Sequence, residues 1–177
     1  MKKTSIENET GELFGNLFSA YDRDNYLKSV GLFKRRFEDN GFNINYFQDK
    51  NCLDVGCGGG RYSIALSMLG AKSVTGIDIS EMGINDAKRR AEDIGIGNVK
   101  FIQNTAEELP FDDESFDFIV FSGVLMHMEN PDKGIHEIAR VLKKGGMVYM
   151  LVYATEGVRW PLISLLRNFS KEIGFRS

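Results

Sequence analysis

The feature that most constrains this chain is a turn. Asn51 to Val55 is a short segment with Cys52, Leu53 and Val55 apolar, Gly56-Cys57-Gly58-Gly59-Gly60 sets four glycines in five positions, and Ile64 to Leu69 follows in helical spacing closed by Gly70. Such a succession reads as strand, tight turn and helix. The alternation then repeats. Ser73 to Ile77 reads as a second strand, and Ile84, Ala87, Ala91 and Ile94 mark a helix that stops at Gly95. Val99 to Gln103 reads as a third strand, Phe116 to Phe121 as a fourth, Ile135, Ile138 and Leu142 as a helix, and Met147 to Tyr153 as a fifth strand after Gly145-Gly146. Strands alternating with helices imply an α/β fold: a doubly wound, mostly parallel sheet with helices on both faces. The near-continuous apolar runs 118–121 and 147–152 suit strands buried on both sides.

Composition bounds what surrounds that core. A chain of 177 residues, 42% hydrophobic and 27% charged, fits one domain. Its parts read as an N-terminal helical lid or cap over residues 1–50, a core over 51–154 and a C-terminal helix over 155–177. In the first part Tyr26, Val30, Phe33 and Phe37 recur at four, three and four, one apolar face of a helix. In the last, Trp160 and Pro161 open a helix whose Leu162, Leu165, Leu166, Phe169 and Ile173 form a stripe read as core or interface. With 22 basic and 25 acidic residues the net charge is -3, which disfavours a nucleic-acid partner. The polar start through Thr10 is unlike a secretory signal and no run reaches membrane-spanning length, so a cytoplasmic protein without stable membrane association is expected. Cys52 and Cys57 come with no Cys or His cluster at ligand spacing, so reduced thiols and no metal are expected. Asp112-Asp113-Glu114 reads as a solvated turn and Met82 as core.

The spacing within the turn selects among ligands. A dinucleotide fingerprint, G-x-G-x-x-G, would need its third glycine where Arg61 stands; the spacing here is G-x-G-x-G. Asp54, two residues before the first glycine, would repel a pyrophosphate and suits a cationic ligand. A nicotinamide-dependent oxidoreductase is therefore disfavoured.

Leu53 to Gly60 resembles the first motif of class I S-adenosylmethionine-dependent methyltransferases, of the small-molecule type 11 kind. Val74 to Ser80 resembles the second motif, Thr105 to Phe111 the adenine-side motif, and Arg140 to Gly146 the turn before the fifth strand, so the likeness runs roughly from Asn51 to Tyr153. The resemblance implies a Rossmann-like fold, S-adenosylmethionine as cofactor and S-adenosylhomocysteine as product. It places Asp54 near the methionine ammonium, with Gly56, Cys57 (through its backbone), Gly58 and Gly60 passing close under that moiety. It gives the ribose hydroxyls to Asp78 and an adenine face to Ile79. Thr105, Ala106 and Glu107 then surround the adenine edge, with Ser122 also lining the cofactor site. Thr105 departs from the Asp or Asn that relatives often carry.

His127, past the fourth strand, is the candidate general base, with a structural histidine as the alternative, while His136 is expected to face solvent. Tyr21, followed by Asp22, resembles an aromatic lid, with a place in the core as the alternative. Relatives add a further pair of strands after the fifth, whereas this chain ends at Ser177, so the last strands of a seven-stranded sheet are expected to be missing. Either the chain is a piece of a longer protein, or the C-terminal helix covers the exposed edge, or a second copy does so, as a homodimer. The acceptor is expected to be a small molecule, quinone precursors included. The rival reading is a methyltransferase-like module that binds cofactor or partner without catalysis.

Overall fold

The computed structural model describes residues 21–152. The helix expected from Trp160, the residues before Tyr21 and the end of the fifth strand at Tyr153 lie outside them.

Among the described residues five strands form one all-parallel sheet: β1 (Asn51–Val55), β2 (Ser73–Asp78), β3 (Val99–Gln103), β4 (Phe116–Ser122) and β5 (Leu142–Leu151), in the order β3-β2-β1-β4-β5. The chain winds outward from β1 to β3 and returns to β4 on the other side of β1, so the order reverses at the β1/β4 pair. In such sheets that reversal opens a crevice at the carboxyl ends of the strands. Among the described residues four α-helices flank the sheet: α1 (Arg23–Asp39), α2 (Arg61–Met68), α3 (Glu81–Ile94) and α4 (Pro131–Val141).

Alternation along the strands divides the core in two. Cys52, Val74, Phe101, Phe118 and Val120 face α1, α2 and α3, where they meet Tyr26, Val30, Phe33, Phe37, Ile64 and Ala87. Leu53, Val55, Ile77, Ile119 and Phe121 face the other way, onto Leu109, Ile138 and Val141. All four residues of the expected α1 face are buried. Helix starts follow the usual capping chemistry. Asp22 accepts from the Asn25 amide, Ser80 from that of Gly83 and Asn130 from that of Lys133, with Pro131 opening α4. Gly95, left-handed at φ +82°, ends α3 where the sequence pattern stops it.

The structure corrects several expectations. β5 begins at Leu142, not Met147: Leu142 pairs with Phe116 and Met147 with Phe118, and the longer β5 segment between them bulges at Gly145, whose φ is +77°. A glycine pair read as a turn before the strand is a bulge within it, and Leu142 belongs to the strand rather than to α4. Ile135, expected on the apolar face of α4, is exposed, leaving Ile138 as the buried member. Met82 is 42% exposed rather than core, because it stands on the solvent side of α3 while Gly83, Ile84 and Ala87 turn inward. Tyr21 is exposed, so the core reading of that residue falls.

Candidate active site

Asp54 lies on the central strand, in register with Gly76 of β2 and Val120 of β4, and is 1% exposed. Ser63, in the first turn of α2, donates to its Oδ2 at 2.6 Å, while Oδ1 is buried without a hydrogen-bond partner. Burial pushes the carboxyl pKa up from 3.8 to about 7; the Ser63 bonds oppose this, the Asp78 charge adds to it and Arg61 lowers it. A buried carboxylate with one oxygen unsatisfied is costly unless a donor or cation completes it.

The turn that follows is tied to the end of β2. Gly56 and Cys57 both donate their amides to the Ile77 carbonyl, at 2.8 and 2.9 Å, and Gly60 donates to Cys57 at 2.9 Å. At Gly56, φ is +71° and a Cβ would collide with Val124 Cγ2 from the segment after β4. At Gly60, φ is +77° and a Cβ would stand 2.9 Å from Phe101 Cζ. Both positions require glycine twice over, for backbone conformation and for close approach.

Asp78 closes β2 half-buried. Its Oδ2 accepts the Gly58 amide at 2.7 Å and its Oδ1 the Ser80 amide at 2.8 Å. Burial raises its pKa, against the backbone hydrogen bonds from Ser80, Gly58 and Ile79. Each carboxylate oxygen retains a further lone pair. The sequence pattern marked this carboxylate as a ligand group but not as a clamp on the glycine turn.

Beyond β3, the Asn104 amide donates to the Asp78 carbonyl at 3.0 Å and Gln103 Nε2 to that of Ile79 at 3.0 Å, drawing Thr105, Ala106 and Glu107 beside the β2 end. The Thr105 hydroxyl accepts the Glu107 amide at 3.2 Å, and Glu107 Oε1 accepts the Asn130 amide at 2.8 Å. These polar groups therefore already shape the loop and the start of α4. Ser122 ends β4, and a short 3-10 turn, Leu125–His127, follows. His127 is half-buried there, its amide donating to Val124, the residue that packs on Gly56. His136 is exposed on α4, with Nδ1 2.7 Å from the Asp132 carbonyl.

Asp54, the glycine turn, Asp78, Ile79, residues 105–107, Ser122 and His127 thus gather around the carboxyl ends of β1, β2, β3 and β4. Cys57 is buried and its thiol is held well above the ordinary range by burial, a poor nucleophile. Among the described residues no group of three or more His, Cys, Asp or Glu could hold a metal ion. Sequence reasoning missed Ser63, the partner of Asp54: nine positions away, it carries no motif signal beyond its place in the first turn of the helix.

Comparison with known proteins bears on the family. Residues 53–150, more than half of the chain, match the family model of a methyltransferase domain. A demethylmenaquinone methyltransferase of Clavibacter sepedonicus is 34% identical over 166 residues, covering 92% of this chain and 66% of the relative, so the chain spans about two thirds of that protein's length. Among solved structures, a candidate S-adenosyl-L-methionine-dependent methyltransferase of Methanococcus maripaludis is similar in fold, with TM-score 0.69 and 21% identity over 97% of this chain and 77% of that one. The [4+2]-cyclase SpnF is 32% identical with TM-score 0.57, covering 60% of this chain and 41% of its own. A match that runs from the first strand to the fifth fixes the family: the chain belongs to the class I S-adenosylmethionine-dependent methyltransferases.

Proposed function

We propose that this chain binds S-adenosylmethionine at the carboxyl ends of β1 and β2 and passes its methyl group to a small-molecule acceptor of the demethylmenaquinone class. The observation that carries the proposal is the buried, unpartnered Oδ1 of Asp54 beside a turn with no side-chain bulk at Gly56 or Gly60. A cationic amine satisfies that oxygen; a pyrophosphate does not. The acceptor class is carried over from the name of the relative that is 34% identical.

S-adenosylmethionine, when bound, supplies an activated methyl on a sulfonium. The work of the chain is positional. Asp54 holds the ammonium, and Gly56, Cys57, Gly58 and Gly60 present backbone alone. Asp78 takes the ribose hydroxyls with the lone pairs its backbone clamp leaves. Ile79 packs on the adenine, Thr105, Ala106 and Glu107 border its edge, and Ser122 lines the site from β4. Holding the acceptor for in-line displacement turns an encounter into a unimolecular step, worth up to roughly 7 to 11 kcal/mol. His127 removes a proton where the acceptor must lose one. A cytoplasmic location and a homodimer belong to the same proposal; among the described residues no helix is long and apolar enough to cross a membrane.

One observation favours a second reading. A chain that is 32% identical is named for a cyclisation, so cofactor binding alone does not establish methyl transfer. The test is incubation of the chain with methyl-tritiated S-adenosylmethionine and demethylmenaquinone. Label in the quinone supports the enzyme. Cofactor binding with no label in that or any of a panel of small acceptors supports a binding module.

A further inference from the structure

The glycine turn is also gripped from outside, by side chains that no motif assigns. Tyr26, on α1, is 1% exposed, and its hydroxyl donates a 2.7 Å hydrogen bond to the Gly59 carbonyl. A carbonyl only accepts, so the phenol stays protonated; burial, its largest influence, holds its pKa above the ordinary value. Arg90, from α3, lies over the Tyr26 ring with its guanidinium carbon 4.1 Å from the centroid. Arg90 Nε donates to Asp86 Oδ2 at 2.7 Å, with both side chains buried, and Nη2 donates to the Tyr21 carbonyl at 3.1 Å. A buried guanidinium that is paired, hydrogen-bonded and stacked has one place to be. On the same helix Gly83 comes so near the turn that a Cβ there would stand 3.3 Å from the Gly58 carbonyl.

We propose that Tyr26 is a positioning residue of the cofactor site: its hydroxyl fixes the Gly59 carbonyl, and with it the surface that the glycine turn presents to its ligand, while Arg90 holds the Tyr26 ring in place. The inference rests on the reading of this turn as the cofactor site. A glycine has no side chain by which a turn can be anchored, so its peptide groups are the handles. Asp78 holds the Gly58 amide from β2, the Cys57 carbonyl holds the Gly60 amide within the turn, and Tyr26 holds the Gly59 carbonyl between them from α1. The same bond ties α1 to the state of the site. If an ordered α1 favours ligand binding, bound ligand favours an ordered α1 to the same extent.

Tyr26→Phe tests this, because it removes the hydroxyl and leaves a ring for Arg90 to cover. Two quantities are measured: amide hydrogen exchange at Gly58 and Gly60 in the free chain, and calorimetric affinity for S-adenosylhomocysteine. Loss of one hydrogen bond predicts exchange faster by about two- to tenfold at those amides and affinity weaker by about the same factor. Val30→Ala, a cavity on the same helix, lowers the melting temperature without moving either quantity. Unchanged exchange and affinity in Tyr26→Phe would overturn the inference, as would an equal response in Val30→Ala. If the unmodified chain binds no S-adenosylhomocysteine, the proposed function fails, and exchange at Gly58 and Gly60 alone decides the role of Tyr26.

Discussion

The Ser63 hydroxyl donates to Asp54 Oδ2 at 2.6 Å, while the other carboxylate oxygen, Oδ1, is buried without a hydrogen-bond partner. An oxygen kept in that state has a use for a donor from outside the chain. Replacing Asp54 with Asn removes the charge at nearly constant shape. It should weaken S-adenosylhomocysteine binding by about 1.5 to 3 kcal/mol, the value of a charge-assisted hydrogen bond. Calorimetry of the two proteins compares them directly, and equal affinities would remove Asp54 from the ammonium site.

If Asp54 holds the ammonium, the same carboxyl should make binding proton-linked. Its pKa in the ligand-free fold is raised from 3.8 to about 7. A raised carboxyl pKa means that the folded state holds the proton more tightly than the unfolded one. This group's contribution to stability is therefore full below about pH 4 and is lost as pH rises toward 7. An ammonium ligand selects the ionised form, so affinity should rise as pH passes from 6 to 8, with proton release seen as a binding enthalpy that depends on the buffer. Asp54→Asn should flatten both trends.

Asp78→Ala removes the proposed ribose partner and also the acceptor of the Gly58 and Ser80 amides. Two losses are expected together: about 1.5 to 3 kcal/mol in cofactor affinity and about 1 to 3 kcal/mol in stability, from backbone donors left without their partner. Denaturant titration beside calorimetry reads both. Lower stability with unchanged affinity would leave Asp78 as a clamp alone.

Gly56→Ala places a Cβ into Val124 Cγ2 on a backbone at φ +71°. The strain and the collision together should cost about 2 to 4 kcal/mol. Paired substitution with Val124→Ala should recover the part owed to the collision and not the part owed to φ. Thermal melts of the single and double variants check this.

His127→Ala should leave cofactor affinity nearly intact and lower kcat only for acceptors that must lose a proton. A comparable loss of cofactor affinity would make His127 structural.

Much of this architecture was legible in the sequence because its signals are local. A strand of five apolar-rich residues, a glycine turn and a capped helix are each specified within a few positions, and β1 and β3 fall where the pattern sets them. The gathering of Asp54, Asp78 and residues 105–107 at one sheet end follows from parallel strands with short connections. What the sequence concealed depends on partners far along the chain. The bulge in β5 arises from its register with β4, which no local pattern at Gly145 encodes. Ser63, Tyr26 and Arg90 act through contacts nine, 33 and 69 positions away, and each side chain alone reads as an ordinary helix residue. Met82 misled because a methionine one turn into a helix is apolar whichever side it faces, and its side is set by Gly83 packing on the glycine turn.

The central claim is that the turn after β1 is built for the ammonium-bearing methionine end of S-adenosylmethionine, and calorimetry of this chain with S-adenosylmethionine and S-adenosylhomocysteine, against NADH, tests it most directly. The account predicts micromolar binding of both sulfur ligands and none of NADH. Absence of binding by the two sulfur ligands, or binding of NADH in their place, would contradict it.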